Sequence, residues 1–112
     1  STPESEDNCA KMVSRQIDRY LTDGSILHSV NYPDCPLSAA FRHRLCVLHA
    51  NVPNMVGQIS AMIAEKRINI DSMVNRSRKE YAYTVIDTDG TPSPETVAAI
   101  AAEEGVIRVR VI

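Results

Sequence analysis

From residue 45 onward, the spacing of apolar positions alternates between two periods. Leu45 to Ala50 is almost wholly apolar and reads as a strand. Pro53 suits the first position of a helix, and Val56, Ile59, Ser60 and Ile63 follow at helical spacing. Ile68 to Ser77 predicts a second strand, Arg78-Lys79-Glu80 a hairpin turn, and Tyr81 to Asp87 a third, well-alternating strand. Ser93-Pro94-Glu95 places a hydroxyl cap, a proline and an acid at a helix start, and Val97, Ile100 and Ala101 form the stripe of a short helix ending before Gly105. Val106 to Ile112 closes the series, with Ile107, Val109 and Val111 expected on one face and Arg108 and Arg110 on the other.

Strand, helix, strand, strand, helix, strand is the split βαβ order. It predicts an α+β, ferredoxin-like βαββαβ domain with both helices on one face of an antiparallel sheet. Ahead of it, Thr2-Pro3-Glu4 starts a helix whose stripe is Cys9, Val13, Ile17, Tyr20 and Leu21, and Asp23-Gly24 stops it. Ser25 to Tyr32 looks extended. Pro33, Pro36 and the small residues 38–40 read as a linker, so the domain boundary is expected near Ala40: residues 1–40 as helix and linker, residues 41–112 as the ferredoxin-like unit. The basic run Arg42-His43-Arg44 reads as a solvated strand entrance.

The composition narrows the function. The chain has 112 residues, a formal net charge of −2 and 44% hydrophobic residues, which suits one ordinary domain without the electrostatic footprint of a nucleic-acid or membrane binder. The three cysteines, Cys9, Cys35 and Cys46, lack metal-site spacing and read as reduced thiols of a cytoplasmic protein. With Ser1 first and no Met before Met12, the chain reads as a piece of a longer protein. An RNA-recognition module shares the element order, and Tyr81 and Tyr83 imitate its third-strand aromatics, but Leu45 to Ala50 has none. The turn after the first strand carries no Cys-x-x-Cys for a soft metal and no phosphate-cradling glycines, so neither a metal site nor a catalytic constellation is expected.

What that turn does carry is His49, Asn51 and Asn54, just ahead of the unpaired amides of a helix start, an arrangement suited to a small polar ligand with a carboxylate. On spacing alone, a packed strand-end histidine and turn-forming asparagines remain the plainer reading. The run His-Ala-Asn-Val-Pro-Asn-Met-Val-Gly, followed by Ile68-Asn69-Ile70-Asp71, resembles an ACT domain, the amino-acid-sensing module. Upstream, Asp23-Gly24-Ser25-Ile26 and Ser29-Val30-Asn31-Tyr32-Pro33 resemble the join between the nucleotide-binding domain and the C-terminal ACT domain of short-form D-3-phosphoglycerate dehydrogenases. The resemblance implies a parent that oxidises 3-phosphoglycerate with NAD, the first step of serine biosynthesis, and a regulatory fragment with no cofactor of its own and no catalysis. It implies paired ACT domains holding L-serine between them, with His49 and Asn51 from one subunit and Asn69 from the other. The amides near Asn54 and Met55 would take the carboxylate. The homodimer seam is expected along the second strand, at Ile68, Asn69, Ile70, Ser72 and Val74, whose middle lacks the charges that usually protect a sheet edge. ACT domains usually carry Gly where this chain has Asn54, and Asn tolerates the same left-handed backbone better than other non-glycine residues. The alternative readings are a dimerisation module without a working serine site, and the RNA binder.

Overall fold

The computed structural model describes residues 16, 19–27, 29 and 31–112. The predicted start of the first helix, and Cys9, Val13, Ile17 and Val30, lie outside them. The order of elements is β1 (His43–Ala50), α1 (Met55–Glu65), β2 (Ile70–Arg78), β3 (Tyr81–Thr88), α2 (Pro94–Ala101) and β4 (Val106–Val111). The four strands form one sheet in the order β2-β3-β1-β4, antiparallel throughout, with β2 and β4 as edges. This is the expected ferredoxin-like α+β arrangement, with strand ends shifted by one or two residues.

Register decides what each face of the sheet holds. Leu45 opposes Ile86 and Val47 opposes Thr84 on one face, while Cys46 opposes Val85 and Leu48 opposes Tyr83 on the other. On the first face Leu45, Val47 and Ile86 are sealed by Met55, Ile59 and Ile63 of α1 and by Ile100 of α2. Met55, not Val56, leads the α1 stripe; Val56 and Ser60 are half-buried at its margin. Truncating a fully buried isoleucine such as Ile59 to alanine costs about 2–5 kcal/mol in such a core. α2 begins as expected: Ser93 Oγ accepts the Thr96 amide at 3.2 Å and Pro94 occupies the first turn.

The second face is covered by the chain's own upstream segment. Ile26, Cys35 and Leu37 join Cys46, Tyr83 and Val85 in a second core, flanked by Tyr20, Tyr32 and Leu48. A helical segment ends at Asp23, and Gly24 takes a left-handed φ of 82° while its amide donates back to Tyr20 O at 3.0 Å. Ile26 and Cys35 then pair in an isolated antiparallel bridge. Leu21, expected on the apolar stripe, is 61% exposed, because Tyr20 is the residue this last turn directs at the sheet.

Two sequence expectations are corrected here. Arg44 does not lie on a solvated edge; it is buried on the second face, where its guanidinium has four protein acceptors. Ile107 does not share a face with Val109 and Val111. Register slips between Leu48 and His49, so that Leu48 opposes Arg108 while His49 opposes Val106, and the extra residue, Ile107, is 51% exposed.

Candidate functional site

The turn between β1 and α1 is built by backbone requirements. β1 ends at Ala50, whose amide donates to Gly105 O at 2.7 Å, and the Asn51 amide donates to Glu80 O at 2.8 Å. The turn is thereby tied to the β2–β3 hairpin. Pro53 follows, and Asn54 adopts φ 72°, ψ −6°, the left-handed conformation that asparagine supplies where glycine is usual. Asn54 stands at the N-cap of α1, yet no side chain among the described residues caps that helix and its first turn holds no acid. The leading amides are thus left without a side-chain acceptor, and helix-start amides of this kind suit solvent or an anion.

The candidate side chains differ in what they leave free. Asn51 is exposed; its Nδ2 donates to Lys79 O at 3.1 Å, which leaves Oδ1 as an acceptor. Met55 contributes backbone only, since its side chain is in the core. His49 is 1% exposed and faces inwards. Its Nδ1 lies 2.8 Å from Ala50 O and its Nε2 2.7 Å from Thr84 Oγ1, so both ring nitrogens are engaged within the chain. Thr84 Oγ1 in turn lies 3.0 Å from the side-chain amide of Asn75 on β2. Thr84 and Asn75 were not singled out by sequence. The available signal was a hydroxyl between Ala82 and Ile86 on the inward face of β3.

Asn69 sits elsewhere. It precedes β2 and exchanges backbone bonds with Asp89: its amide donates to Asp89 Oδ1 at 3.0 Å and its carbonyl accepts the Asp89 amide at 3.1 Å. The Asn51 turn adjoins the other end of the same hairpin, at Lys79 and Glu80. At about 3.3 Å per residue, the length of β2 separates Asn69 from it by roughly 30 Å. Within one chain the structure does not bring these asparagines together. Along β2, Ile68 and Ile70 tuck under the helix-side core, Val74 leans into the second core, and Asn69 and Ser72 are exposed. Among the described residues, the outer backbone edge of β2 has no strand beside it.

Between the upstream segment and the sheet lies a mostly apolar cavity of about 520 Å³, walled by Tyr20, Ile26, Tyr32, Leu48, Tyr83 and Ile107. It is on the face opposite α1. On that same face Tyr83 is buried, its hydroxyl donating to Gly24 O at 2.6 Å, and Tyr32 meets the Tyr81 ring edge-on at 5.3 Å. The tyrosines that imitate an RNA-stacking platform are thus covered by the chain's own residues.

A four-stranded antiparallel sheet in this order with two helices on one face is the ferredoxin-like α+β arrangement, which ACT domains share. The solution structure of the ACT domain from GTP pyrophosphokinase of Chlorobium tepidum superposes with a TM-score of 0.52 at 15% identity, over 62% of this chain and 83% of that one. By sequence, the chain is similar to D-3-phosphoglycerate dehydrogenases. It is 29% identical to that of Escherichia coli (strain K12) over 114 residues, which is 100% of this chain and 28% of the relative. It is 28% identical to that of Dictyostelium discoideum over 113 residues (100% and 27%), and 34% identical to a putative one from Schizosaccharomyces pombe over 98 residues (82% and 21%). The chain thus spans less than a third of the length of these relatives. No protein-family model matches it.

Proposed function

We propose that this chain is the regulatory, amino-acid-sensing part of a D-3-phosphoglycerate dehydrogenase, and that two copies join along β2 to bind L-serine at each end of the seam. In this reading, residues 41–112 are the ACT domain and residues 1–40 come from the end of the nucleotide-binding domain. The parent is a cytoplasmic oxidoreductase that uses NAD for the first step of serine biosynthesis. None of the four glycines, at 24, 57, 90 and 105, has the close spacing of a dinucleotide loop, so NAD belongs to other parts of that parent.

The observation that carries the reading is the edge position of β2, with the Asn51 turn at one end of the strand and Asn69 at the other. Asn69 and Lys79 each lie five residues from Val74. Two β2 strands paired antiparallel about a two-fold axis at Val74 would set Asn69 of one chain opposite Lys79 of the other, and Lys79 is the residue whose carbonyl Asn51 holds. Dimerisation would therefore close the distance that separates the asparagines within one chain. It would also cover the unpaired edge of β2, which is otherwise a template for adventitious pairing.

The chemistry of such a site suits a zwitterion. Asn51 Oδ1 accepts from the ammonium, and the leading amides of α1 and the side-chain Nδ2–H of Asn69 donate to the carboxylate. A ligand held by both chains stiffens the seam. In a full-length enzyme that restraint would couple to domain closure with a free energy of typically about 1–3 kcal/mol.

Calorimetry of the 112-residue chain with L-serine, read beside its sedimentation, tests the reading. The expected result is a dimer that takes up one serine per chain. A dimer that gives no heat at millimolar serine would leave a dimerisation module without a working site, and a monomer that gives no heat would end the proposal.

A further inference from the structure

We propose that the cavity between the upstream segment and the second face of the sheet is a separate binding site for a small aryl-alkyl carboxylate. Its ring would lie among the tyrosine rings, and its carboxylate would meet the Arg108 guanidinium. This site is on the face opposite α1, apart from the turn and seam assigned above, and does not depend on the serine reading.

Register places the parts. Leu48 on β1 opposes Tyr83 on β3 and Arg108 on β4, so one row across three strands presents a ring, an aliphatic floor and a cation. Neighbouring strands stand about 4.8 Å apart, which sets the backbones of Tyr83 and Arg108 roughly 10 Å from each other along that row. The bulge beside Leu48 adds a wall. Successive residues of a regular strand point to opposite faces, yet Ile107 and Arg108 both border this cavity, because the extra residue re-aims Ile107. Tyr20 and Tyr32 wall the cavity from the upstream segment. The Tyr83 hydroxyl is spent on Gly24 O, so Tyr83 offers the cavity its ring.

The chemistry selects the occupant. A volume of about 520 Å³ falls within the range of small-molecule sites, roughly 300 to 1,000 Å³. The lining is mostly apolar, so a ring or alkyl body gains by displacing water from it. Among the described residues no acid lines the cavity, and none forms an ion pair with Arg108. An exposed guanidinium beside such a cavity matches a planar carboxylate in two-pronged geometry. Arg110, two residues on along β4 and half-buried against the Tyr20 ring, adds a second positive charge to the same flank, which disfavours a cationic guest.

The test is calorimetry of the chain with 3-phenylpropanoate and with its neutral counterpart 3-phenylpropan-1-ol, together with methyl NMR of the acid complex. The acid is expected to bind with a dissociation constant below about 1 mM, at least about fivefold more tightly than the alcohol, and to shift the Leu48 and Ile107 methyl signals. Arg108→Gln, a change at an exposed position, is expected to weaken the acid at least about fivefold and the alcohol less than about twofold. Ile107→Ala, which removes a wall, is expected to weaken both, and L-serine is expected to displace neither. No uptake of the acid at millimolar concentration, an affinity indifferent to Arg108→Gln, or shifts confined to the β1–α1 turn overturns the proposal and leaves the serine reading intact. A chain that binds the acid in this way and not serine upholds the proposal while the serine reading fails.

Discussion

Arg44 and Asp87 form a two-pronged ion pair between adjacent strands: Nε is 2.6 Å from Oδ1 and Nη2 is 2.9 Å from Oδ2. The remaining guanidinium nitrogen, Nη1, donates to the carbonyls of Asp23 and Ser38, each at 2.7 Å, and the guanidinium lies over the Phe41 ring at 4.1 Å. The Asp87 carboxylate beside it raises the Arg44 pKa above its ordinary value against the opposing effect of burial. One side chain thus ties β1 and β3 to both ends of the upstream segment. Arg44→Met is expected to lower stability by about 3–5 kcal/mol, because it strands a largely buried carboxylate and two carbonyls. Urea unfolding measures this, and a loss under 1 kcal/mol would show that the clamp is dispensable.

The left-handed turn at Asn54 makes its own prediction. Asn54→Ala should cost about 1–2 kcal/mol, since a methyl group raises the energy of that conformation and no cap bond is lost. Asn54→Gly should change stability by less than about 1 kcal/mol, its easier geometry offset by a freer unfolded chain. Equal losses in thermal melts would mean that the asparagine side chain, not the backbone angle, is what the turn uses.

A site shared between chains can be complemented. Asn51→Ala and Asn69→Ala should each abolish or strongly weaken serine binding in homodimers. Mixed after unfolding and refolding together, they should form heterodimers with one intact site and one doubly damaged site. The expected recovery is one serine per heterodimer. Absence of recovery where heterodimers are shown to form would place both asparagines in a single-chain role.

Stability should decline on the alkaline side. Burial pushes the Cys35 and Cys46 thiols above their ordinary values, and it pushes the Tyr83 phenol far higher. The folded chain therefore keeps protons that the unfolded chain releases. The stabilisation is complete below the unfolded values, about 8.5 for a thiol and about 10 for a phenol, and is lost as pH climbs from there towards the folded ones. Each such group contributes a slope of up to about 1.4 kcal/mol per pH unit in that window. Urea midpoints between pH 7 and 11 should fall from about pH 9, with a shallower slope in Cys46→Ala. A flat profile would mean that these groups titrate in the folded protein as freely as in the unfolded one.

The sequence was most informative where local rules act. The six-element order, the Ser93 cap, the stop at Gly24 and the tolerance of Asn54 for a left-handed turn follow from residue type and spacing. It was least informative where the outcome depends on distant partners. Arg44 reads as an exposed cation until Asp87, Asp23 and Ser38 converge on it. The second core could not be read either, because Ile26, Cys35 and Leu37 have no helical or strand period of their own. Ile107 misled because one inserted residue reverses its face. At the candidate site, the residue types pointed to a polar ligand. His49 turns inwards with Leu45 and Val47 by strand alternation, but its partner Thr84 lies far along the chain and no local pattern announces that contact.

The two cores share the strands between them, and this has a kinetic corollary. β1 and β3 are covered above and below, whereas β2 keeps one bare flank and most of its side chains exposed. Amide hydrogens of the inner pair should be the slowest to exchange with deuterium, and those of β2 among the first to open. Anything that grips β2 acts on the portion of the sheet with the most mobility to surrender.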